Sequence, residues 1–179
     1  MDEARARFEA QVLPHLDAAY RFARWLTRSP AEADDLVQEA FLRAFRGFGR
    51  QRGGDVKAWL LTIVRNCHIT ALRQRRATVP LPQEPDEHFG CGLLAASEDP
   101  ASASLAADEQ RTLDRLIAAL PQEHREVLLL RELEELSYRE IAAVTSVPIG
   151  TVMSRLARAR AALRSMYLQN SPGEPRAVR

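Results

Sequence analysis

Ser137-Tyr138-Arg139-Glu140-Ile141-Ala142-Ala143-Val144-Thr145-Ser146-Val147-Pro148-Ile149-Gly150-Thr151-Val152-Met153-Ser154-Arg155-Leu156-Ala157-Arg158 is the stretch on which the fold turns. Its first four residues form a capping box, a Ser N-cap with Glu three positions later, placed just before the apolar Ile141 to Val144. Thr145-Ser146-Val147-Pro148 ends that short helix, and Pro148 suits the first turn of the next one. The second helix carries Val152, Leu156, Ala159 and Leu163 on one side, with Ser154, Arg155 and Arg158 elsewhere. Two helices around a tight turn are the pattern of a helix-turn-helix. The apolar side packs on preceding helices, and the polar side is free to enter a major groove, where arginines bond guanine edges or phosphates. The bland alternative is that Arg155, Arg158, Arg160 and Arg164 only solvate a surface helix. It covers each arginine singly but not the assembled unit.

Working outward, Leu113, Leu116, Ile117 and Leu120 form a stripe at helical spacing, and Pro121 marks a new start before Val127, Leu128, Leu130 and Leu133. Helical pattern resumes at about Leu105. Before it, residues 78–104 hold Pro80, Pro82, Pro85 and Pro100 among scattered acids and small residues, with no sustained period, which reads as a linker. The N-terminal part is helical again. Phe8, Val12, Leu16, Ala19 and Phe22 recur at three- and four-residue steps. Ser29-Pro30 opens a second helix whose apolar side runs Ala33, Leu36, Val37, Ala40, Phe41, Ala44 and Phe45. A glycine-rich loop from Gly47 to Asp55 ends it, and a third helix, Val56 to Arg75, presents Trp59, Leu60, Ile63, Val64, Ile69 and Leu72.

The predicted fold is all-α: two small helical domains joined by a flexible linker, the C-terminal one with a helix-turn-helix. The domains run 1–76 and 105–168, with the acidic, proline-containing linker at 77–104 and a disordered tail at 169–179. Composition agrees, since apolar residues make up 46% of the 179 residues, aromatics only 6% and Gly is sparse.

A formal charge of +1 hides blocks of opposite sign. Glu32, Asp34, Asp35 and Glu39 fall in a stretch without a base; Lys57, Arg65, Arg73, Arg75 and Arg76 fall in one without an acid. Such blocks imply separate acidic and basic faces with different partners. Two cysteines, Cys67 and Cys91, build no disulfide framework. The first residues carry no apolar leader and no run approaches a membrane span, so a soluble cytoplasmic protein without membrane insertion is expected.

Residues 136–142 and 147–160 closely resemble the promoter-reading C-terminal domain of extracytoplasmic-function sigma factors. Two further segments resemble the same family independently and in its order. Ala33-Asp34-Asp35-Leu36-Val37-Gln38-Glu39-Ala40-Phe41 is similar to the helix that grips the polymerase clamp. Trp59-Leu60-Leu61-Thr62-Ile63-Val64-Arg65-Asn66 is similar to the segment preceding minus-ten recognition.

The resemblance implies a transcription initiation factor that takes core RNA polymerase to particular promoters. It puts Asp34, Asp35, Leu36, Gln38, Glu39 and Phe41 at the clamp helices of the largest polymerase subunit, where carboxylates pair with arginines beside an aromatic anchor. It puts Lys57, Arg65, Asn66, Arg73, Arg75 and Arg76 at the minus-ten element, with bases on phosphates and Asn66 on a base edge. Thr151, Met153, Ser154, Arg155 and Arg158 fall to the minus-thirty-five element. It also implies an anti-sigma protein as a partner. Trp59, at helical spacing with Ile63, reads as core before it reads as a stacking platform. Two residues depart from the family: Thr70 stands where an Asp is common, and Met153 where many members have Lys or Arg.

Rival readings are a sigma-like decoy that only occupies an anti-sigma protein, and a plain helix-turn-helix repressor. The decoy leaves the basic faces unexplained, and the repressor leaves the acidic N-terminal motif so. An enzyme is not expected, nor a cofactor or small-molecule substrate. Cys67-His68 and His88-x-x-Cys91 contain metal-ligand types but lack the paired spacing of a structural zinc site, and no phosphate-binding glycine loop or nucleophile elbow is present.

Overall fold

A computed structural model describes residues 2–27, 29–51, 53–78 and 100–170, and every regular element among them is helical. The bulk of the expected linker, with His88 and Cys91, and the last nine residues lie outside the described residues. Helix α1 runs Asp2–Val12, α2 Leu16–Leu26, α3 Pro30–Gly47 and α4 Val56–Thr78. The single stripe expected from Phe8 to Phe22 is broken by a 3-10 turn, Leu13–His15. Pro14 has no N–H to continue the α-helical ladder, so the chain tightens there and restarts. Ser29 caps α3 as expected, its hydroxyl accepting the Glu32 N–H at 3.2 Å. Between α3 and α4 the chain makes a 3-10 turn, Phe48–Arg50, and then passes Gly53 and Gly54 at φ +72° and +85°. An L side chain is strained in that left-handed region, so the glycines are required there. Asp55 then accepts the Ala58 N–H at 2.7 Å and starts α4.

Phe22, Leu60, Leu61, Val12 and Val64 are the largest fully buried side chains of this first bundle. Phe8 closes its open end, edge-on to Phe41, Phe45 and Phe48 with centroids 6.5, 5.2 and 5.4 Å away. Trp59 packs on the same core beside Phe48, as its spacing predicts.

The second bundle comprises α5 Pro100–Ala118, α6 Gln122–Glu132, α7 Tyr138–Thr145 and α8 Ile149–Asn170. Helix α5 begins at Pro100, five residues before the expected start, because proline fits a first helical turn even inside a proline-rich stretch. The capping box forms: Ser137 N–H donates to Glu140 Oε2 at 2.7 Å and Ser137 Oγ accepts the Glu140 N–H at 3.3 Å. Ser146 ends α7 in the left-handed region, and Pro148 precedes α8, its carbonyl accepting the Val152 N–H. Val152, Leu156 and Ala159 are buried against α6 and α7. Leu116 and Leu120 are core, whereas Leu113 of the same expected stripe is 40% exposed.

The two bundles touch. Helix α4 packs on α7 and α2 on α6, and Trp25 is buried against Leu129 with Ile117 and Leu133 around them. That second contact explains why α4 buries Leu61 and His68 outside the single apolar face read from its sequence.

Candidate polymerase and nucleic-acid interfaces

On α3 the acidic segment splits by helical geometry. Asp34, Asp35 and Gln38 are exposed, Leu36 is buried, and Phe41 is half-buried under Phe8. Glu39 is half-buried and accepts from Arg43 Nε at 2.6 Å. Leu36 and Phe41 therefore shape the helix from beneath. The outward continuation of Asp34, Asp35 and Gln38 is Leu42 and Phe45, 53% and 51% exposed. Helical periodicity sets Phe45 on the apolar side of α3 and marks neither residue as a contact. The signal available was their i+4 and i+3 step from Gln38 and Leu42, which continues the outer face.

Helix α4 distributes its bases unevenly. Asn66 and Arg73 are exposed, and the Arg76 side chain lies outside the described residues. Arg75 donates to Glu32 of α3 at 2.7 Å. Lys57 and Arg65 are bound by acids of the second bundle. Lys57 Nζ lies 2.8 Å from both the Glu134 carboxylate and the Glu134 carbonyl oxygen. Arg21 of α2 grips the same carboxylate with two hydrogen bonds, at 3.1 and 3.2 Å. Arg65 Nε donates to Glu126 at 2.6 Å. Both acid side chains are 5% exposed or less. Burial pushes the Glu126 carboxyl up, against the opposite pull of Arg65. Glu134 reaches this position because the chain turns sharply after α6, with Glu135 at φ 55°.

Thr70 turns back on its own helix, its hydroxyl donating to the Asn66 carbonyl at 2.8 Å. It leaves the Asn66 amide to face solvent.

On α8, Met153, Ser154 and Arg158 are exposed and Thr151 is half-buried. Ser154 Oγ donates to the Thr151 carbonyl at 3.0 Å. Arg155 is drawn aside, 2.6 Å from Glu123 at the start of α6, with its side chain 16% exposed. Among the described residues no group of His, Cys, Asp or Glu is placed to hold a metal ion, and no helix is long and apolar enough to cross a membrane. Cys67 is buried, which raises its thiol pKa.

Residues 12–78 match the model of Sigma-70 region 2 and residues 110–163 that of Sigma-70 region 4. The RNA polymerase sigma-H factor of Pseudomonas aeruginosa is 39% identical over 137 residues, 74% of this chain and 71% of that one. The chain belongs to the extracytoplasmic-function sigma factor family. The ECF RNA polymerase sigma factor SigE of Mycolicibacterium smegmatis is 33% identical over 94% of this chain, which spans 64% of that relative's length. Among solved structures, the sigma factor RpoE of Bartonella quintana, in complex with the anti-sigma factor NepR, superposes with a TM-score of 0.69 at 26% identity. The match covers 92% of this chain and 99% of that one. Extracytoplasmic-function sigma factors are non-enzymatic transcription initiation factors.

Proposed function

We propose that this sigma factor divides its work among three surfaces. The outer face of α3, with Asp34, Asp35 and Gln38 leading to Leu42 and Phe45, docks on the clamp helices of core RNA polymerase. Acids and exposed apolar anchors side by side suit a partner helix carrying arginines. Asn66 and the bases of α4 take the minus-ten element, the amide on a base edge and the cations on phosphates. The first turns of α8 read the minus-thirty-five element in duplex form. Residues 1–76 and 105–168 act as the two working domains, with 77–104 spanning them, in the cytoplasm.

The observation that carries this reading is the placement of exposed Asn66 and Arg73 on α4 apart from the exposed recognition face of α8. The pairs from Lys57 and Arg65 to Glu134 and Glu126 belong to a closed form. On promoter DNA these bases exchange carboxylates for phosphates, so the bundles separate. An anti-sigma protein, the kind of partner seated on the Bartonella quintana factor, would act by covering both bundles.

Run-off transcription with core polymerase on a promoter library tests the reading. Initiation at a discrete promoter set, weakened by Asn66→Ala and by Asp35→Arg, supports it. Binding to core without initiation turns the reading to a decoy that occupies an anti-sigma protein.

A further inference from the structure

A helix-turn-helix meets base edges with the first turns of its second helix, and in this chain those turns carry almost no available charge. Ile149 is 41% exposed and Met153 54% exposed, and Ala157 is exposed one step further. Four-residue steps set the three on one ridge, turned away from the buried Val152, Leu156 and Ala159. Arg155, which the sequence offers to the groove, is held by Glu123. The Ser154 hydroxyl proton is used on the Thr151 carbonyl, so Ser154 presents an acceptor outward. Arg158 is the first exposed arginine of the helix, more than two turns in.

A thioether and a branched alkyl chain make no hydrogen bond to guanine O6 or N7. The apolar group on the major-groove edge of DNA is the thymine C5-methyl. Resting on the sigma-factor reading above, we infer that Met153 and Ile149 seat on thymine methyl groups of the minus-thirty-five duplex. A·T pairs with the thymine toward this ridge are then selected by apolar contact, while Arg158 supplies charge further along. The ridge lies on the second helix of the helix-turn-helix within the segment matching Sigma-70 region 4, continuous with the face that the proposed function sets on the minus-thirty-five duplex, so DNA is the occupant it is assigned.

The test uses the full chain in holoenzyme on a promoter drawn from the library. Each minus-thirty-five thymine is replaced singly by uracil, which removes the methyl and keeps the hydrogen-bonding edge. The expected result is about a fourfold loss of holoenzyme affinity at one or two positions, the effect of burying one methylene-sized group. At those positions the thymine-to-uracil ratio falls to one in Met153→Ala or Ile149→Ala, whereas Arg158→Ala weakens both DNAs alike. Both apolar residues are exposed, so the variants keep the fold. A ratio of one at every thymine, or a ratio unchanged in both variants, overturns the inference while initiation continues, and leaves the ridge to a protein partner. Absence of initiation at any promoter overturns the sigma-factor reading and this inference together.

Discussion

Arg65 Nε lies 2.6 Å from Glu126 Oε1, joining α4 to α6 across 61 residues of chain. The acid is almost fully buried and the base 17% exposed, so the pair is little screened by salt. Removing one partner leaves the other desolvated and alone. Glu126→Ala should lower unfolding free energy by about 2 kcal/mol in urea titration, in the range for hydrogen bonds to charged groups. Arg65→Ala on that background should recover part of the loss. A coupling energy near zero in the double-mutant cycle would show that the contact is incidental.

Glu134 serves two cations on two helices, Arg21 of α2 and Lys57 of α4. Replacing it by Gln keeps the shape and removes the charge that holds both. The expected outcome is partial separation of the bundles, read as a rise in radius of gyration by small-angle scattering, with helix content by circular dichroism unchanged. Helix content falling in step with the expansion would mean that Glu134 supports folding of the bundles themselves.

His68 is buried on α4, and burial first, then the neighbouring Arg75, lowers its pKa from 6.5 to about 4; Arg125 and Arg65 add to this, and Glu32 opposes it. The unfolded chain takes up this proton near pH 6.5, the folded chain only near pH 4. Between those values the unfolded state binds more protons, so the stability this group contributes is complete above pH 6.5 and declines as pH falls toward 4. Between pH 7 and pH 5 the loss amounts to about 2 kcal/mol. Urea titrations at the two pH values should show that much less pH dependence in His68→Gln than in the parent chain.

Phe45 is half exposed on the outer face of α3. Phe45→Ser should lower stability by about 1 kcal/mol through loss of the edge contact to Phe8, and weaken core polymerase binding about thirtyfold, the size of a hot-spot loss of about 2 kcal/mol. Unaltered affinity in a direct binding titration would move the docking face off this side of α3.

What was legible in the sequence was local. The Ser137–Glu140 capping box, the Ser29 cap and the turn before α8 are set by groups three or four residues apart, and each stands as read. What was not legible depends on partners distant in the chain. Glu126 stands just before the apolar run Val127 to Leu130 and Glu134 in the charged stretch after it, and neither carries a local sign that it is buried. Their burial follows from cations that arrive 61 and 77 residues away. Arg155 reads as a groove contact because its competitor, Glu123, lies on another helix. Phe45 reads as core because helical periodicity marks an apolar arc without saying how wide an arc the neighbours cover. Leu61 is the converse, buried because the second bundle covers a face of α4 that one bundle alone leaves open.

Trp25 and Trp59 are the chain's two tryptophans, and they sit in different kinds of contact. Trp25 is buried at the seam against Leu129, whereas Trp59 belongs to the core of the first bundle. Parting the bundles wets one indole and leaves the other in place. The protein thus carries its own optical gauge of opening: a red shift from Trp25 over a steady signal from Trp59, readable by fluorescence in unlabelled material and removable by Trp25→Phe.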